Sequence, residues 1–259
     1  MGTALVTGAC KNTGVAIVEK FAGEGWDIVF TGREPTEVRA AEQRYRTKFP
    51  KVNILGYPLH SLTPENTVDE AAAEQMFAYL DARKIFVDTL ILNAADQGLG
   101  MRALESPLSD FLRVIQTNMV WDYELSILAA ARMKEQGGGN IIFINSNTAY
   151  RAIPDRIAYS ASKSGQLGMM RAMALDFGKY GIRVNAVLPG MIVTDRWEKN
   201  PDFYKNVPSR FTPLGDVAQG EDIADAAWYF AAHARNTTGA ELVVDGGNTI
   251  QLYPLRRQE

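Results

Sequence analysis

Cysteine and histidine are scarce in this sequence, and neither sign of charge predominates. Its 259 residues include one cysteine, Cys10, and two histidines, so an internal disulfide and a three-histidine metal centre are excluded. Lys and Arg total 27 against 30 Asp and Glu, which gives a formal net charge of -3. Nucleic-acid binding is therefore disfavoured, because it requires a basic surface.

Long apolar runs are also missing. No stretch approaches the roughly 18 apolar residues of a membrane span, and the N-terminal segment lacks the pattern of a signal peptide. We therefore expect a cytoplasmic protein without a membrane segment. With 46% hydrophobic and 22% charged residues, the chain can bury a substantial core, and we predict one domain over residues 1–259.

Short apolar or β-branched segments alternate with stretches of helical period, which is typical of βαβ units. This pattern predicts an α/β fold, a Rossmann-like doubly wound sheet of about seven parallel strands with helices on both faces. The predicted strands are Ala4–Thr7, Asp27–Thr31, Val52–Gly56, Thr89–Leu92, Ile141–Asn145, Arg183–Val187 and Leu242–Val244. Thr63-Pro64 and Ser106-Pro107 each predict a helix start, with a capping hydroxyl before a proline.

Two patterns suggest a nucleotide cofactor and acid–base chemistry. After the first predicted strand, Gly8 permits a tight turn and Gly14 permits close approach of a phosphate to the N-terminus of a helix. Tyr159 and Lys163 stand four residues apart, on one face of a predicted helix, where an ammonium group favours the phenolate. Each pattern alone is also compatible with a purely structural role.

Together, and in this order, the two patterns resemble the short-chain dehydrogenase/reductase family over nearly the whole chain. The family's glycine motif, Thr-Gly-x-x-x-Gly-x-Gly, matches at Thr7, Gly8 and Gly14, whereas Asn12 replaces the middle glycine. Asparagine tolerates left-handed backbone better than other non-glycine residues, so we expect the turn to survive.

The resemblance implies hydride transfer between a nicotinamide cofactor and a carbonyl or secondary alcohol. It also implies a catalytic set. Ser146 lies 13 residues before Tyr159, as the family requires, and would hydrogen-bond the substrate oxygen. Tyr159 would exchange the proton, Lys163 would bind the ribose and assist the tyrosine, and Asn118 would interrupt a helix and hold a water molecule.

The cofactor-binding residues also follow from the resemblance. Asn93-Ala94 half-matches the family's Asn-Asn-Ala-Gly segment, and Pro189-Gly190 begins an intact Pro-Gly motif. The implied set is Gly8, Lys11, Asn12, Thr13, Gly14, Arg33, Asn93, Ala94, Tyr159, Lys163, Pro189, Gly190, Ile192 and Thr194.

The end of the second predicted strand bears on the choice of cofactor. Gly32 stands where an acidic residue would bind the ribose 2′-hydroxyl of NAD(H), and Lys11 and Arg33 supply cations for a 2′-phosphate. We therefore favour NADP(H) over NAD(H), although members of the family that use NAD can also carry an arginine here.

The substrate side is a loop at about 191–212. Tyr150, Met191 and Trp197 could line an apolar pocket for a steroid-like or ketoacyl ketone. Charged residues in the same loop keep an NAD-dependent polyol or sugar dehydrogenase possible, and a catalytically silent nicotinamide sensor is a third reading. No metal is expected, and we expect a homotetramer or a dimer that packs through helices around 108–135 and 156–179.

Overall fold

The computed structural model describes residues 2–195, 201–202 and 211–252. Its centre is a seven-stranded sheet in the order β3-β2-β1-β4-β5-β6-β7, and every pair of neighbouring strands is parallel. The strands are β1 (Thr3–Val6), β2 (Asp27–Gly32), β3 (Ile54–Pro58), β4 (Thr89–Leu92), β5 (Gly139–Ile144), β6 (Ile182–Pro189) and β7 (Glu241–Val244). The predicted α/β class and doubly wound parallel sheet are confirmed.

Helices cover both faces of this sheet. They are α1 (Thr13–Gly23), α2 (Pro35–Lys48), α3 (Glu70–Ala82), α4 (Leu108–Ile115), α5 (Trp121–Gln136), α6 (Ile157–Gly178) and α7 (Gly220–Trp228). Side chains of a strand alternate between the faces, so Leu5 packs into the core beneath α3, α5 and α6, whereas Ala4 and Val6 pack into the core beneath α1, α2 and α7. The buried strands are apolar on both faces for this reason.

The prediction that a helix begins at Thr63-Pro64 is wrong. The Thr63 hydroxyl pairs with the Thr67 hydroxyl at 2.9 Å, and the backbone N–H of Asn66 donates to the Thr63 carbonyl, which forms a turn. The helix α3 begins later, at Glu70, where the Asp69 carboxylate accepts from the N–H of Ala72 at 3.0 Å. An acidic cap thus starts the helix.

The helix predicted at Ser106-Pro107 begins one residue after the proline. Ser106 does not cap it, because its hydroxyl accepts from the N–H of Arg102 at 2.8 Å instead. The helices α4 and α5 are joined by a π-helical turn at Gln116–Val120, so the chain stays helical from Leu108 to Gln136. Such turns are frequent at functional sites.

The direction of the chain across the sheet reverses between β1 and β4. The crossovers from β1 lead to β2 and then β3 on one side, whereas β4 lies on the other side of β1. In open α/β sheets ligands bind in the crevice at the carboxyl ends of the strands at such a point. The glycine loop begins at the carboxyl end of β1, and the segment with Asn93 and Ala94 begins at the carboxyl end of β4, so both lie at this crevice.

Candidate active site

The loop between β1 and α1 is held tightly against the sheet. Gly8 has a φ of 65°, and a Cβ atom at Gly14 would lie 2.7 Å from the Cα of Ala9 and from the carbonyl oxygen of Gly8. Only glycine fits at position 14 without moving backbone atoms. The hydroxyl of Tyr45 on α2 donates to the Ala9 carbonyl at 2.6 Å, and burial raises the pKa of this phenol to about 12. The loop is therefore packed closely within itself and held from α2 by the Tyr45 hydroxyl.

Asn12 adopts the backbone conformation that its place in the glycine motif demands. Its φ of 53° and ψ of -139° lie in a region that glycine favours, so the turn survives the substitution. The side chain does not cap α1, and its Oδ1 instead accepts from the N–H of Asp195 at 3.3 Å. Asn12 thereby links the glycine loop to the loop after β6.

Asn93 and Ala94 are brought directly to the glycine loop. The Thr7 hydroxyl oxygen accepts from the backbone N–H groups of Asn93 and Ala94, at 2.9 and 3.0 Å. The Asn93 amide nitrogen donates to the carbonyls of Thr7 and Gly8, at 2.9 and 3.2 Å. The segment after β4 therefore fixes the first turn of the loop across the switch point.

The end of β2 leaves no room for a side chain at position 32. A Cβ atom at Gly32 would overlap the Sγ of Cys10 and lie 3.0 Å from a methyl group of Val38. The thiol of Cys10 therefore fills the space beyond β2 in which an acidic side chain would begin. The missing acid and the cysteine in the glycine loop are two parts of one packing arrangement.

Several charges surround this point. Lys11 and Arg33 are exposed, and the guanidinium of Arg44 on α2 lies over the ring of Tyr45 and donates to the Cys10 carbonyl at 3.4 Å. Burial raises the pKa of the Cys10 thiol; Glu37 raises it further, whereas Arg44 and Lys11 act in the opposite direction. Sequence reasoning missed Arg44, since only the fold returns α2 to the glycine loop.

The loop after β6 completes the crevice. The N–H of Gly190 donates to the Val244 carbonyl at 3.0 Å, and a Cβ atom at position 190 would lie 2.6 Å from the Cβ of Asp245. Pro189 ends β6, and Ile192 forms a parallel bridge with Ala218. Thr194 is partly buried and stands one residue before the contact between Asp195 and Asn12.

Tyr159 and Lys163 lie in the first two turns of α6. The Lys163 Nζ is 5.8 Å from the centre of the Tyr159 ring, and it donates to the Ile144 carbonyl at the end of β5 at 2.9 Å. The lysine side chain is fully buried, and this burial lowers its pKa, which the carboxyl of Asp122 on α5 partly restores. The pair thus combines a phenol with a desolvated cation.

Ser146 is the second residue after β5, at the carboxyl edge of the sheet. Its backbone N–H donates to the Asn145 side-chain oxygen at 2.7 Å, and its hydroxyl oxygen accepts from the N–H of Thr148 at 3.2 Å. The Asn145 amide nitrogen donates to the Lys163 carbonyl at 2.9 Å. Ser146 and Lys163 are therefore tied together through one buried asparagine.

Asn118 lies in the π-helical turn and is completely buried. Its side-chain oxygen accepts from the N–H of Asp96 at 2.7 Å, and its amide nitrogen donates to the Asp96 carbonyl and to the hydroxyl of Ser162. Asp96 in turn forms an ion pair with Arg113 on α4. The asparagine thus joins the segment after β4 to α6, next to Lys163.

Three buried polar residues beside this group were not predicted from the sequence. Asp122, Asn145 and Gln166 are 1%, 4% and 1% exposed. The signal that could have found them is a carboxyl within an apolar stripe, because Asp122 lies between Trp121 and Leu125, both buried. Asp122 and Leu125 belong to one buried face of α5 at regular helical spacing.

The predicted substrate residues are placed as follows. The Tyr150 hydroxyl donates to the Glu241 carboxylate on β7, which also binds Arg171 of α6. Met191 is 44% exposed at the carboxyl end of β6. Trp197 lies outside the described residues, together with most of the predicted substrate loop at about 191–212.

The glycine loop fits a dinucleotide. Because Gly8 and Gly14 carry no Cβ atoms, which would collide with their neighbours here, the loop packs closely at the start of α1. The side chain of the N-cap residue Asn12 is turned away toward Asp195, which leaves the N–H groups at the start of α1 for a phosphate. Within the described ranges we find no helix long and apolar enough to cross a membrane. The same ranges hold no group of three His, Cys, Asp or Glu side chains suited to a metal ion.

Comparisons with known proteins agree with this geometry. The family described as enoyl-(acyl carrier protein) reductase matches residues 8–249. The glucose 1-dehydrogenase of Gluconobacter oxydans is 33% identical, covering 95% of this chain and 91% of that protein. The chain belongs to the short-chain dehydrogenase/reductase family. The 3alpha-hydroxysteroid dehydrogenase of Mediterraneibacter gnavus is 30% identical, covering 94% of this chain and 95% of that protein.

A solved structure extends the comparison to the cofactor. ElxO with NADP bound superposes with a TM-score of 0.88 at 25% identity, covering 97% of this chain and 100% of that chain. The chain described here is an oxidoreductase acting on CH–OH groups, as its dehydrogenase relatives are, and its fold is one that binds a nicotinamide cofactor.

Proposed function

We propose that the protein is an NADP(H)-dependent oxidoreductase that interconverts a ketone and a secondary alcohol, with Ser146, Tyr159 and Lys163 as its catalytic residues. The observation that carries this proposal is the position of the Lys163 ammonium, 5.8 Å from the Tyr159 ring and bonded to the end of the strand that Ser146 follows. A phenol, a cation and a hydroxyl thus share the carboxyl edge of the sheet beside the glycine loop.

The chemistry at the substrate oxygen follows from these side chains. The Tyr159 phenol donates a proton to the oxygen in reduction and accepts it in oxidation, and the nearby Lys163 ammonium stabilises the phenolate that remains. The Ser146 hydroxyl donates a hydrogen bond to the same oxygen, where negative charge develops. When bound, the nicotinamide supplies the hydride exchange that no side chain can perform. Asn118 holds α6 in place through Ser162 and is proposed to keep a water molecule near Lys163.

The remaining cofactor contacts belong to the same proposal. The backbone of Gly8, Asn12, Thr13 and Gly14 receives the pyrophosphate, in keeping with the close packing of that loop. Asn93 and Ala94 support the adenosine side. The nicotinamide is positioned by the Pro-Gly segment, namely Pro189, Gly190, Ile192 and Thr194.

The packing at Gly32 supports the preference for NADP(H). Because the Cys10 thiol fills the space in which an acidic side chain would begin, no carboxylate extends from the end of β2 toward a 2′-hydroxyl. Lys11 and Arg33 are exposed beside this point and would bind a 2′-phosphate, and Arg44 adds a third cation. Glu37 on α2 is the carboxylate that would instead favour NAD(H).

For the substrate we favour an apolar or alicyclic ketone, such as a steroid-like or ketoacyl compound, in a pocket that includes Tyr150, Met191 and Trp197. The similarity to a 3alpha-hydroxysteroid dehydrogenase supports this class. The second candidate is a polyol or sugar dehydrogenase that uses NAD, and the similarity to a glucose 1-dehydrogenase supports its substrate class. A catalytically silent nicotinamide sensor is the remaining alternative.

We also propose that residues 1–259 act as one domain in the cytoplasm, and that the protein is a homotetramer or a dimer. The helical stretch from α4 through the π-helical turn to α5 carries Leu108, Val120 and Tyr123, which are 70%, 40% and 49% exposed. Apolar side chains along a pair of joined helices are suited to packing against a second copy. Size-exclusion chromatography with light scattering tests this assembly.

The function is tested by titrating the purified protein with NADPH and with NADH while the nicotinamide fluorescence is recorded. We expect NADPH to bind at least about tenfold more tightly, since one charge-assisted hydrogen bond contributes roughly 1.5–3 kcal/mol. Steroid, ketoacyl and sugar substrates are then compared by NADPH oxidation or NADP reduction. Preference for NADH together with sugar oxidation would favour the second candidate, and binding without any turnover would favour the sensor.

A further inference from the structure

A continuous chain of buried hydrogen bonds runs from Asp122 on α5 through Gln166 on α6 to Ser146, the second residue after β5. The Gln166 amide nitrogen donates to Asp122 Oδ2 at 2.7 Å, and the Gln166 oxygen accepts from the amide nitrogen of Asn145 at 2.9 Å. The Asn145 oxygen accepts from the N–H of Ser146 at 2.7 Å. Asp122 is thereby connected to the backbone of one proposed catalytic residue.

The two amides have fixed orientations. Asn145 must present its nitrogen to the Lys163 carbonyl, at 2.9 Å, because a carbonyl only accepts. The Gln166 oxygen must then face Asn145, and its nitrogen must face Asp122 and the Asn118 carbonyl, at 2.5 Å. Asp122 Oδ2 is consequently an acceptor in this chain.

Asp122 lies about one helical turn from Lys163, because Gln166, to which it is hydrogen-bonded, follows Lys163 by three residues on α6. The carboxyl is 1% exposed, and its Oδ1 has no hydrogen-bond partner among the described residues. Burial raises the pKa of Asp122, and the Lys163 ammonium opposes that effect. Burial likewise lowers the pKa of Lys163, and Asp122 opposes it. Each buried group therefore stabilises the charged form of the other.

Apart from Tyr159, the ionisable groups on the neighbouring elements are exposed or have other neighbours. On α6, Tyr159 faces Lys163, and Arg171 binds Glu241 on β7. The strands β4 and β5 contain no ionisable side chain. Asp96 and Asp110 pair with Arg113 of α4, and Asp81 of α3 pairs with Arg132 of α5. Glu124 of α5 is repelled by Glu70 and Glu74 of α3. The exposed groups on α5 and α6 are Tyr123, Lys134, Glu135 and Asp176.

We propose that Asp122 is a positioning residue, whose carboxylate is the buried counter-charge of the Lys163 ammonium and whose bond to Gln166 fixes Ser146 through Asn145. This inference rests on the proposed function, in which Lys163 and Ser146 act on the substrate.

The test is a pH titration of Lys163 by NMR in protein labelled with ¹³C at the lysine Cε, with the resonance assigned by a Lys163→Met variant. In Asp122→Asn the acceptor for Gln166 is kept and the charge is removed. We expect Lys163 to lose its proton at least about one pH unit lower than in the unmodified protein, because a nearby opposite charge shifts a pKa by roughly 1–3 units. The loss of kcat/KM in this variant should accordingly be largest at alkaline pH.

Glu124→Gln is the matched control, since it removes a carboxyl two residues away on the same helix but facing α3. It should leave the titration of Lys163 unchanged. If Asp122→Asn does not fold, Gln166→Met takes its place, because loss of the donor to Oδ2 favours the neutral carboxyl and lowers the pKa of Lys163 in the same direction.

An unchanged titration of Lys163 in these variants would overturn the proposal, as would an equal shift in Glu124→Gln. The titration needs neither cofactor nor substrate, so its failure is distinct from failure of the proposed function. The proposed function fails instead if Tyr159→Phe keeps normal turnover, whatever the pKa of Lys163.

Discussion

The packing of Cys10 against Gly32 leads to a prediction about cofactor choice that two substitutions can test. Gly32→Asp places a carboxylate at the end of β2, but its Cβ atom overlaps the Cys10 Sγ and presses on Val38. Cys10→Ala removes the sulfur, and the Cβ of residue 10 then lies 3.7 Å from the new Cβ atom, an ordinary contact distance. The single variant is therefore strained by both contacts, whereas in the double variant only the 3.0 Å contact with Val38 remains.

The magnitudes follow from these contacts. Overpacking costs about 1–3 kcal/mol, so Gly32→Asp should lower the free energy of unfolding by that amount, and adding Cys10→Ala should restore at least about half of it. A carboxylate facing a 2′-phosphate removes about 1.5–3 kcal/mol of charge-assisted bonding, which weakens NADPH binding by roughly 10- to 100-fold. Affinity for NADH should change little or rise.

The assay combines urea unfolding with fluorescence titrations of NADPH and NADH for the unmodified protein, both single variants and the double variant. If the two side chains overlap, the changes in unfolding free energy of the two single variants should not add up to that of the double variant. An additive loss of stability would refute the overlap at Gly32. Unchanged preference for NADPH in the double variant would refute the role of the end of β2 in choosing the cofactor.

Two further predictions concern the glycine loop. Gly14→Ala should cost about 1–3 kcal/mol of stability and weaken binding of NADPH, because the new Cβ atom would lie 2.7 Å from backbone atoms; Gly168→Ala, with nothing within 4 Å, is the control and should be neutral or stabilising in urea unfolding. Tyr45→Phe leaves the Ala9 carbonyl without its partner and should cost about 1–3 kcal/mol. A Tyr45→Phe protein as stable as the original, measured in the same way, would show that this bond does not brace the loop.

The strands were predictable because their residues are almost all apolar. β1 and β4 are buried on both faces, so each appears in the sequence as a short continuous apolar segment. β4 was predicted at its observed bounds, Thr89–Leu92. The prediction failed where local signals competed. Thr63-Pro64 has the residues of a helix start, yet the Thr63 hydroxyl closes a turn with Thr67, and Asp69 caps α3 instead.

The site was predictable only as far as its motifs extend. Spacing placed Tyr159 and Lys163 on one helix face, and resemblance located Ser146, but no pattern joined Asp122 to Gln166. Their contact depends on how α5 packs against α6, which is a property of the assembled fold. The thiol of Cys10 beneath Gly32 is similarly invisible, since 22 residues separate the two positions.

The central claim is that Tyr159 transfers the proton, whereas the rest of the crevice binds the cofactor. Its most direct test compares Tyr159→Phe with the unmodified protein, in NADPH binding and in turnover of the best ketone found. The account predicts NADPH affinity within about threefold and a loss of roughly 10²- to 10⁴-fold in kcat, the usual range for a proton-transfer group. Near-normal kcat in Tyr159→Phe would contradict it.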